Sequence, residues 1–303
     1  MNTKKILIVG FPNAGKTCIT KAFFEGEDPE KLLSDLGAPE PTLGIQHYRV
    51  SWIDTEVGIV DSSGQEILRF LEGDELDKEM TFGAADAIIY VFDIENWMED
   101  QETVIENLKK SLKVRDEMAP DAKVFTFCHK IDLIALDLEK RASIFEEIKK
   151  KIQEEMKIKT IFTSIEPRFI HTLFRSMQII LNDLSKKGSS LEDFIKEILL
   201  NHGTSALILL NNEYRVISER RSKAISVVSM YRIITFVKAI DKAFRKIDNN
   251  DVFDRGKIES NMGMKIVIKS LKNNSYGVKF VIMASETASL DTVEKIIGFI
   301  ENK

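Results

Sequence analysis

Short apolar runs alternate with stretches of helical spacing along the first part of the chain. Ile6-Leu7-Ile8-Val9 reads as a strand, Gly10 to Thr17 as a glycine-bearing loop, and Cys18 to Phe24 as a helix. Ala87 to Asp93 and Lys123 to Cys128 are nearly continuous apolar runs, which suit strands buried on both faces of a parallel sheet. Glu102 to Met118 puts Val104, Ile105, Leu108, Leu112 and Met118 on one helical face, and Leu138 to Met156 and Phe169 to Leu184 read as helices around a last strand, Lys159 to Thr163. Gly44 to Ser51 alternates like an edge strand, and Glu56 to Asp61 follows it across the turn Trp52 to Thr55, which predicts a hairpin. Two stretches lack any such period. Glu25 to Pro41 is polar with late prolines and predicts a loop; Ile67 to Phe82 is acidic and irregular and predicts a mobile segment. Strands alternating with helices imply an α/β fold, a mostly parallel sheet with helices on both faces and a ligand site at the carboxyl ends of its strands.

The pattern changes after Lys186-Lys187-Gly188-Ser189-Ser190, which reads as a linker. Leu191 to Asn201 predicts a helix, and Ala206 to Leu210 and Tyr214 to Ser218 predict a hairpin across Asn211-Asn212-Glu213. A long helix from Ala224 to Ile247 follows, then three short strands within 252–259, 264–271 and 277–283, and a final helix from Leu290 to Ile300. That order predicts an antiparallel sheet with helices packed on it, a separate α+β domain over 191–303 after a first domain over 1–185.

Composition agrees with two globular domains: 303 residues, 44% hydrophobic, 30% charged, at about 150 residues per domain. The net charge of −5 argues against a broad nucleic-acid footprint, which needs a basic face or stripe. Two cysteines, Cys18 and Cys128, lie far apart with no CxxC pairing, as expected of reduced thiols in a cytosolic compartment. Met1 to Lys5 runs straight into the first strand with no signal-peptide region, and the longest apolar stretch, Ala206 to Leu210, is far short of the ~20 residues that span a bilayer. The expectation is no direct membrane insertion, with any membrane residence arising through a partner.

Candidate chemistry begins at Gly10-Phe11-Pro12-Asn13-Ala14-Gly15-Lys16-Thr17, a GxxxxGK[ST] loop between a strand and a helix. In such a loop backbone N–H groups turn inward around a polyphosphate, the lysine reaches the outer phosphates and the hydroxyl can ligate Mg²⁺. Asn13, Ala14, Gly15, Lys16, Thr17 and Cys18 are the candidate phosphate-binding residues. Asp61-Ser62-Ser63-Gly64-Gln65 matches the DxxGQ pattern of GTP-binding switch proteins. Asp61 can hold a metal-bound water, Gly64 can offer its N–H to a γ-phosphate, and Gln65 can orient the attacking water. Thr42, after Pro41 in a loop, is the candidate to complete the metal sphere with Thr17 and Asp61. His129-Lys130-Ile131-Asp132 stands where related proteins carry NKxD. Asp132 can accept from guanine N1 and N2, Lys130 can lie along the base, and His129 takes the asparagine position. A buried acceptor left unpaired by the wrong base discriminates strongly. Thr163-Ser164-Ile165 supplies a backbone contact to the base edge, through Ser164 and Ile165.

Other polar residues have plainer readings. His47, His171 and His202 are scattered without metal-ligand spacing. Asp74, Glu75, Asp77 and Glu79 read as a solvated face, and Arg220, Arg221 and Lys223 as a solvated turn. Arg69 is a helix-surface arginine in that reading, with an internal arginine finger as the alternative.

With these motifs the sequence resembles the Rag/Gtr family of GTPases over both domains. The family-like stretch is Asp86 to Glu95, followed by Pro120 to Phe125 and by His129-Lys130-Ile131-Asp132, with histidine for asparagine. The loop 10–17 is closer to that of Obg-type GTPases, and Ser62-Ser63 departs from the family, which implies an early-branching or archaeal-type relative. The resemblance implies a P-loop GTPase G domain followed by a roadblock/longin-like domain through which chains pair as homo- or heterodimers. It implies binding of GTP/GDP with Mg²⁺ and hydrolysis that is slow alone, of order ~10⁻⁴ s⁻¹, until a GTPase-activating protein adds about 10³ to 10⁵. Roadblock-family scaffold proteins are the implied partners, in the cytoplasm or at a membrane to which they are anchored. A nucleotide-bound scaffold that does not cycle, and a small GTPase fused to a roadblock regulator, remain alternatives.

Overall fold

The computed structural model describes residues 2–34, 45–53, 55–62, 74–200, 205–222, 225, 227–247, 253–261, 263–272, 274–286 and 288–301. The chain divides into two compact units, Met1–Ser51 with Glu56–Met177, and Trp52–Thr55 with Gln178–Lys303.

The first unit is built on a six-stranded sheet. Its strands are β1 (Asn2–Gly10), β2 (Ile45–Trp52), β3 (Thr55–Ser62), β4 (Ala87–Asp93), β5 (Lys123–His129) and β6 (Lys159–Phe162), in the order β2-β3-β1-β4-β5-β6. β1, β4, β5 and β6 pair in parallel, with Gly10 opposite Val91 and Asp93 opposite His129. Every residue of β4 is buried, as a central strand covered on both faces requires. Leu7, Val9, Ile88, Tyr90 and Phe92 share one core with Val104 and Leu108 of α4 (Ile94–Met118) and Ile148 of α5 (Leu138–Ile148). Other α-helices among the described residues here are α1 (Lys16–Thr20), continued in a wider turn over Lys21–Glu25, α2 (Pro29–Leu33), α3 (Glu75–Phe82), and α6 (Ile170–Leu184), whose last residues belong to the second unit; a short tight helical turn spans Ile131–Ile134, and a wider one over Lys149–Glu154 continues α5.

Three expectations change, each through capping. Within 25–41, expected as loop, Pro29–Leu33 is helical: the Asp28 side chain accepts from Glu30 N and proline occupies the first turn, where its missing N–H costs nothing. Within 67–82, expected as irregular, Glu75–Phe82 is helical because Asp74 accepts from Asp77 N at 2.9 Å, and acidic residues suit a helix start. Helix α4 begins at Ile94 rather than Glu102. Asp93 and Asn96 exchange backbone-to-side-chain bonds in a capping box, the helix breaks at Asp100 (φ −154°, ψ 77°), and Asp100 caps the second part through Thr103. The apolar period from Val104 reports only that second part.

After the end of α6 the second unit continues with α7 (Lys186–Leu200), so Lys186–Ser190, read from composition as a linker, is helical. Its serines and glycine are capping chemistry: Ser185 Oγ accepts from Gly188 N and Ser189 Oγ donates to Asn182 O. The sheet comprises β7 (Ser205–Leu210), β8 (Val216–Arg221), β9 (Arg255–Glu259), β10 (Lys265–Ser270) and β11 (Phe280–Ser285), antiparallel in the order β8-β7-β11-β10-β9. Side chains alternate across it. Leu207, Leu209, Val281 and Met283 face Leu191 and Ile195 of α7 and Val293 and Ile296 of α9 (Leu290–Glu301). Ala206, Ile208, Phe280 and Ile282 face Ile234 and Val237 of α8 (Val227–Ile247). Helices therefore cover both faces. The edge strand β9 is largely exposed. No helix among the described residues is long and apolar enough to cross a membrane.

Candidate functional site

The carboxyl ends of the first sheet gather the loop 10–17, Asp61 and the stretch 129–132, where ligands of open α/β sheets bind. Strand β1 ends at Gly10, whose φ is +138° and where a Cβ would stand 1.9 Å from the Val91 carbonyl oxygen; only glycine fits. Phe11 N donates to that same oxygen at 3.0 Å, so the loop leaves the sheet on a fixed bearing. Asn13 is exposed and left-handed (φ 58°), and Ala14 is fully buried. Gly15 is the N-cap of α1 without a side-chain cap, with φ +89°, and Ile19 N closes the first turn on its carbonyl at 2.9 Å. Cys18 is half-buried one turn in.

Lys16 and Asp61 place opposite charges at buried positions here. Lys16, only 6% exposed, donates from Nζ to Gly10 O at 3.1 Å and Phe11 O at 2.7 Å. Burial pulls its ammonium down to about 8, against the opposing pull of Asp61. Asp61, near the end of β3, is fully buried and accepts from the Thr17 hydroxyl through Oδ2 at 3.1 Å. Its Oδ1 is buried with no partner among the described residues. Burial pushes its carboxyl up to about 6, with the Thr17 bond and the Lys16 charge limiting the rise. A desolvated carboxylate whose second oxygen has no partner among the described residues is a costly arrangement unless a cation or another donor completes it.

The second cluster lies at the ends of β5 and β6. His129 is buried and shares a hydrogen bond between Nδ1 and Thr163 Oγ1 at 2.9 Å. Burial, and then the Lys130 charge, brings its imidazole down to about 3, so the ring is neutral. Its edge lies against the loop 10–17: a Cβ on Gly15 would be 2.7 Å from His129 Cδ2. Lys130 is left-handed (φ 54°), and Ile131 N donates to Thr163 O at 3.3 Å. Asp132 accepts at Oδ1 from the Ser164 hydroxyl, which also receives Glu166 N. Ser164 N donates to Thr172 Oγ1 at 3.1 Å, and Ile165 is buried beside it.

The conserved region of Gtr1/RagA G proteins matches residues 5–238 of this chain. The chain belongs to the Gtr1/RagA family. It is 24% identical over 298 residues to GTP-binding protein GTR1 of Saccharomyces cerevisiae, covering 89% of this chain and 93% of that protein. It is 28% identical over 235 residues to GTP-binding protein gtr1 of Schizosaccharomyces pombe, covering 76% and 72%. A third relative, Ras-related GTP-binding protein A of Dictyostelium discoideum, is 28% identical over 153 residues, about half of each chain (50% and 48%).

As a Gtr1/RagA small G protein the chain brings together Lys16, Thr17 and Asp61 in one cluster and His129, Lys130, Asp132, Ser164 and Ile165 in another, with Gly15 touching both. Thr42, Gly64, Gln65 and Arg69 lie outside the described residues. Asp93 was missed by sequence reasoning. It pairs with Lys130 at 2.7 Å, and its only sequence signal is the Asp93-x-x-Asn96 cap at the end of a strand.

Proposed function

We propose that this chain is a guanine-nucleotide switch that binds GTP and GDP with Mg²⁺ and hydrolyses GTP slowly by itself. The observation that carries the reading is the buried Asp61 carboxylate, with Oδ2 on the Thr17 hydroxyl, Oδ1 without a partner among the described residues and the Lys16 ammonium desolvated nearby. A hydroxyl and a carboxylate are hard oxygen donors that suit Mg²⁺, whose other ligands come from phosphate and water; among the described residues no group of three His, Cys, Asp or Glu could hold a metal alone. When bound, Mg²⁺ would neutralise charge on the phosphate oxygens. Lys16 would exchange its loop carbonyls for phosphate oxygens, and the N–H groups around Gly15 would meet the same anion.

Asp132 would read guanine, its orientation set by Ser164. Because Ser164 N is committed to Thr172, the backbone contact to the base edge falls to Ile165. Thr42 and Gly64 would answer to the γ-phosphate, and Gln65 would orient the attacking water. The relatives named as GTP-binding proteins support this reading.

The second unit would be a roadblock-like domain that pairs two chains, supported by its antiparallel order β8-β7-β11-β10-β9 between α7 and α9 on one face and α8 on the other. Partners carrying the same fold would bring the chain from the cytoplasm to a membrane.

The test is binding of fluorescent GDP, a non-hydrolysable GTP analogue, ADP and XDP, with and without Mg²⁺, together with phosphate release from GTP. Guanine selectivity that shifts to xanthine in Asp132→Asn, and turnover that slows in Gln65→Leu with binding retained, are expected. Copurifying nucleotide with no turnover in the parent would leave a non-cycling scaffold instead.

A further inference from the structure

Asp93 closes β4 and its side chain is 3% exposed. One oxygen, Oδ1, accepts from Asn96 N at 2.8 Å, while Asp93 N donates to Asn96 Oδ1 at 3.0 Å. This capping box locks the carboxylate. Asparagine or serine would cap as well as aspartate does, so helix capping does not explain a full negative charge at a buried position. The charge is accounted for by the other oxygen, which holds Lys130 Nζ at 2.7 Å. The two residues come together because Asp93 and His129 are register partners of β4 and β5, which sets Lys130 one residue beyond the pair.

Lys130 is thereby fixed at both ends. Its backbone is held left-handed at φ 54° with the next N–H, that of Ile131, on Thr163 O. Its ammonium is held by Asp93 at 2.7 Å, so the four methylenes between are tethered at both ends, two residues before Asp132 in the chain. A free lysine side chain gives up about 2 kcal/mol of rotamer freedom when it is ordered; here the ordering precedes the ligand.

We propose that Asp93 is a positioning residue for the nucleotide base, acting through Lys130, whose aliphatic stem it holds extended as a preformed apolar rest for the flat ring of guanine. This rests on the guanine-nucleotide reading above. Preorganisation of this kind acts mainly on the dissociation rate.

The test is a double-mutant cycle on the full chain, using release of a fluorescent GDP in Mg²⁺. Asp93→Asn keeps the cap and removes the charge, and Lys130→Met keeps the stem and removes the ammonium. Asp93→Asn should raise the release rate about tenfold in the parent and leave it unchanged in Lys130→Met, a coupling of the size seen between contacting residues. Equal effects of Asp93→Asn in both backgrounds would assign Asp93 to the helix cap alone and overturn the inference. A purely structural role would lower the melting temperature in both backgrounds without this coupling. Should Asp93→Asn not fold, Asp93→Ser replaces it in the same cycle. A parent that binds no guanine nucleotide overturns the functional reading and this inference together, whereas additivity in a parent that binds overturns the inference only.

Discussion

The Thr17 hydroxyl donates to Asp61 Oδ2 at 3.1 Å while Oδ1 of the same carboxylate is buried without a described partner. Burial raises the Asp61 carboxyl from 3.8 to about 6, so the folded protein holds this proton more tightly than the unfolded chain. The resulting penalty is absent below about pH 4, grows up to about pH 6 and is complete above it, reaching about 3 kcal/mol. Nucleotide-free Asp61→Asn should therefore be more stable than the parent by about 2–3 kcal/mol near pH 7.5 and equal to it near pH 4. Urea unfolding at the two pH values decides this. Equal stability near pH 7.5 would mean that the carboxylate is hydrated after all. The same variant should lose the Mg²⁺ dependence of nucleotide binding.

Lys16 carries the complementary cost. Its ammonium is pulled from 10.5 to about 8 by burial, so the penalty for burying the charge is full below about pH 8 and fades as pH rises toward 10.5. Lys16→Met keeps the stem and removes the charge. It should abolish triphosphate binding, with affinity falling at least about 100-fold through the loss of a charge-assisted contact, yet melt no lower than the nucleotide-free parent near neutral pH. A clear drop in melting temperature would show that the bonds to Gly10 O and Phe11 O outweigh the desolvation.

Gly15 joins the two clusters. A Cβ there would lie 2.7 Å from His129 Cδ2, and the backbone sits at φ +89°. Gly15→Ala should cost roughly 1–2 kcal/mol from the left-handed backbone alone, with a further loss from displacement of the imidazole. His129→Ala removes the clash but not the backbone strain, so the double variant should recover only part of the stability. Full recovery in chemical denaturation would assign the whole cost to the ring, and no recovery would assign it to the backbone.

Much of the fold was legible in the chain because parallel strands buried on both faces write themselves as unbroken apolar runs, as at Ala87–Asp93, and the strand–loop–helix around Gly10 to Lys16 was legible because it is contiguous in sequence. Contacts across the sheet were not legible. His129 meets Thr163 34 residues away, and Lys130 meets Asp93 only through the β4–β5 register. Capping also hid structure from periodicity: Asp28, Asp74 and Asp93 each start a helix in a stretch too short or too polar to show a long apolar period, Ile94 and Trp97 being the only buried side chains among the described residues of α4 before the break at Asp100. Ser185, Gly188 and Ser189 have the composition of a flexible tether, yet their hydrogen bonds turn the chain directly into α7.

The second unit offers the surface for the proposed pairing. The edge strand β9 is largely exposed, and its Ile258, opposite Ile266 of β10, is 39% exposed. Along α8, Phe236, Phe244 and Ile247 are also exposed, and their spacing sets them on one flank of the helix. The edge is blunted by Arg255, Lys257 and Glu259, so the exposed apolar side chains Ile258, Phe236, Phe244 and Ile247 are what another chain would cover. Pairing that uses them should be broken by Ile258→Lys with Phe244→Glu, because a charge left unpaired in an apolar interface is expensive. Light scattering should then report a monomer at a concentration where the parent is a dimer, with guanine-nucleotide affinity unchanged because both substitutions lie outside the first unit. A variant that remains dimeric would move the interface away from β9 and α8, and a parent that is monomeric with either nucleotide bound would leave this chain in need of a different partner.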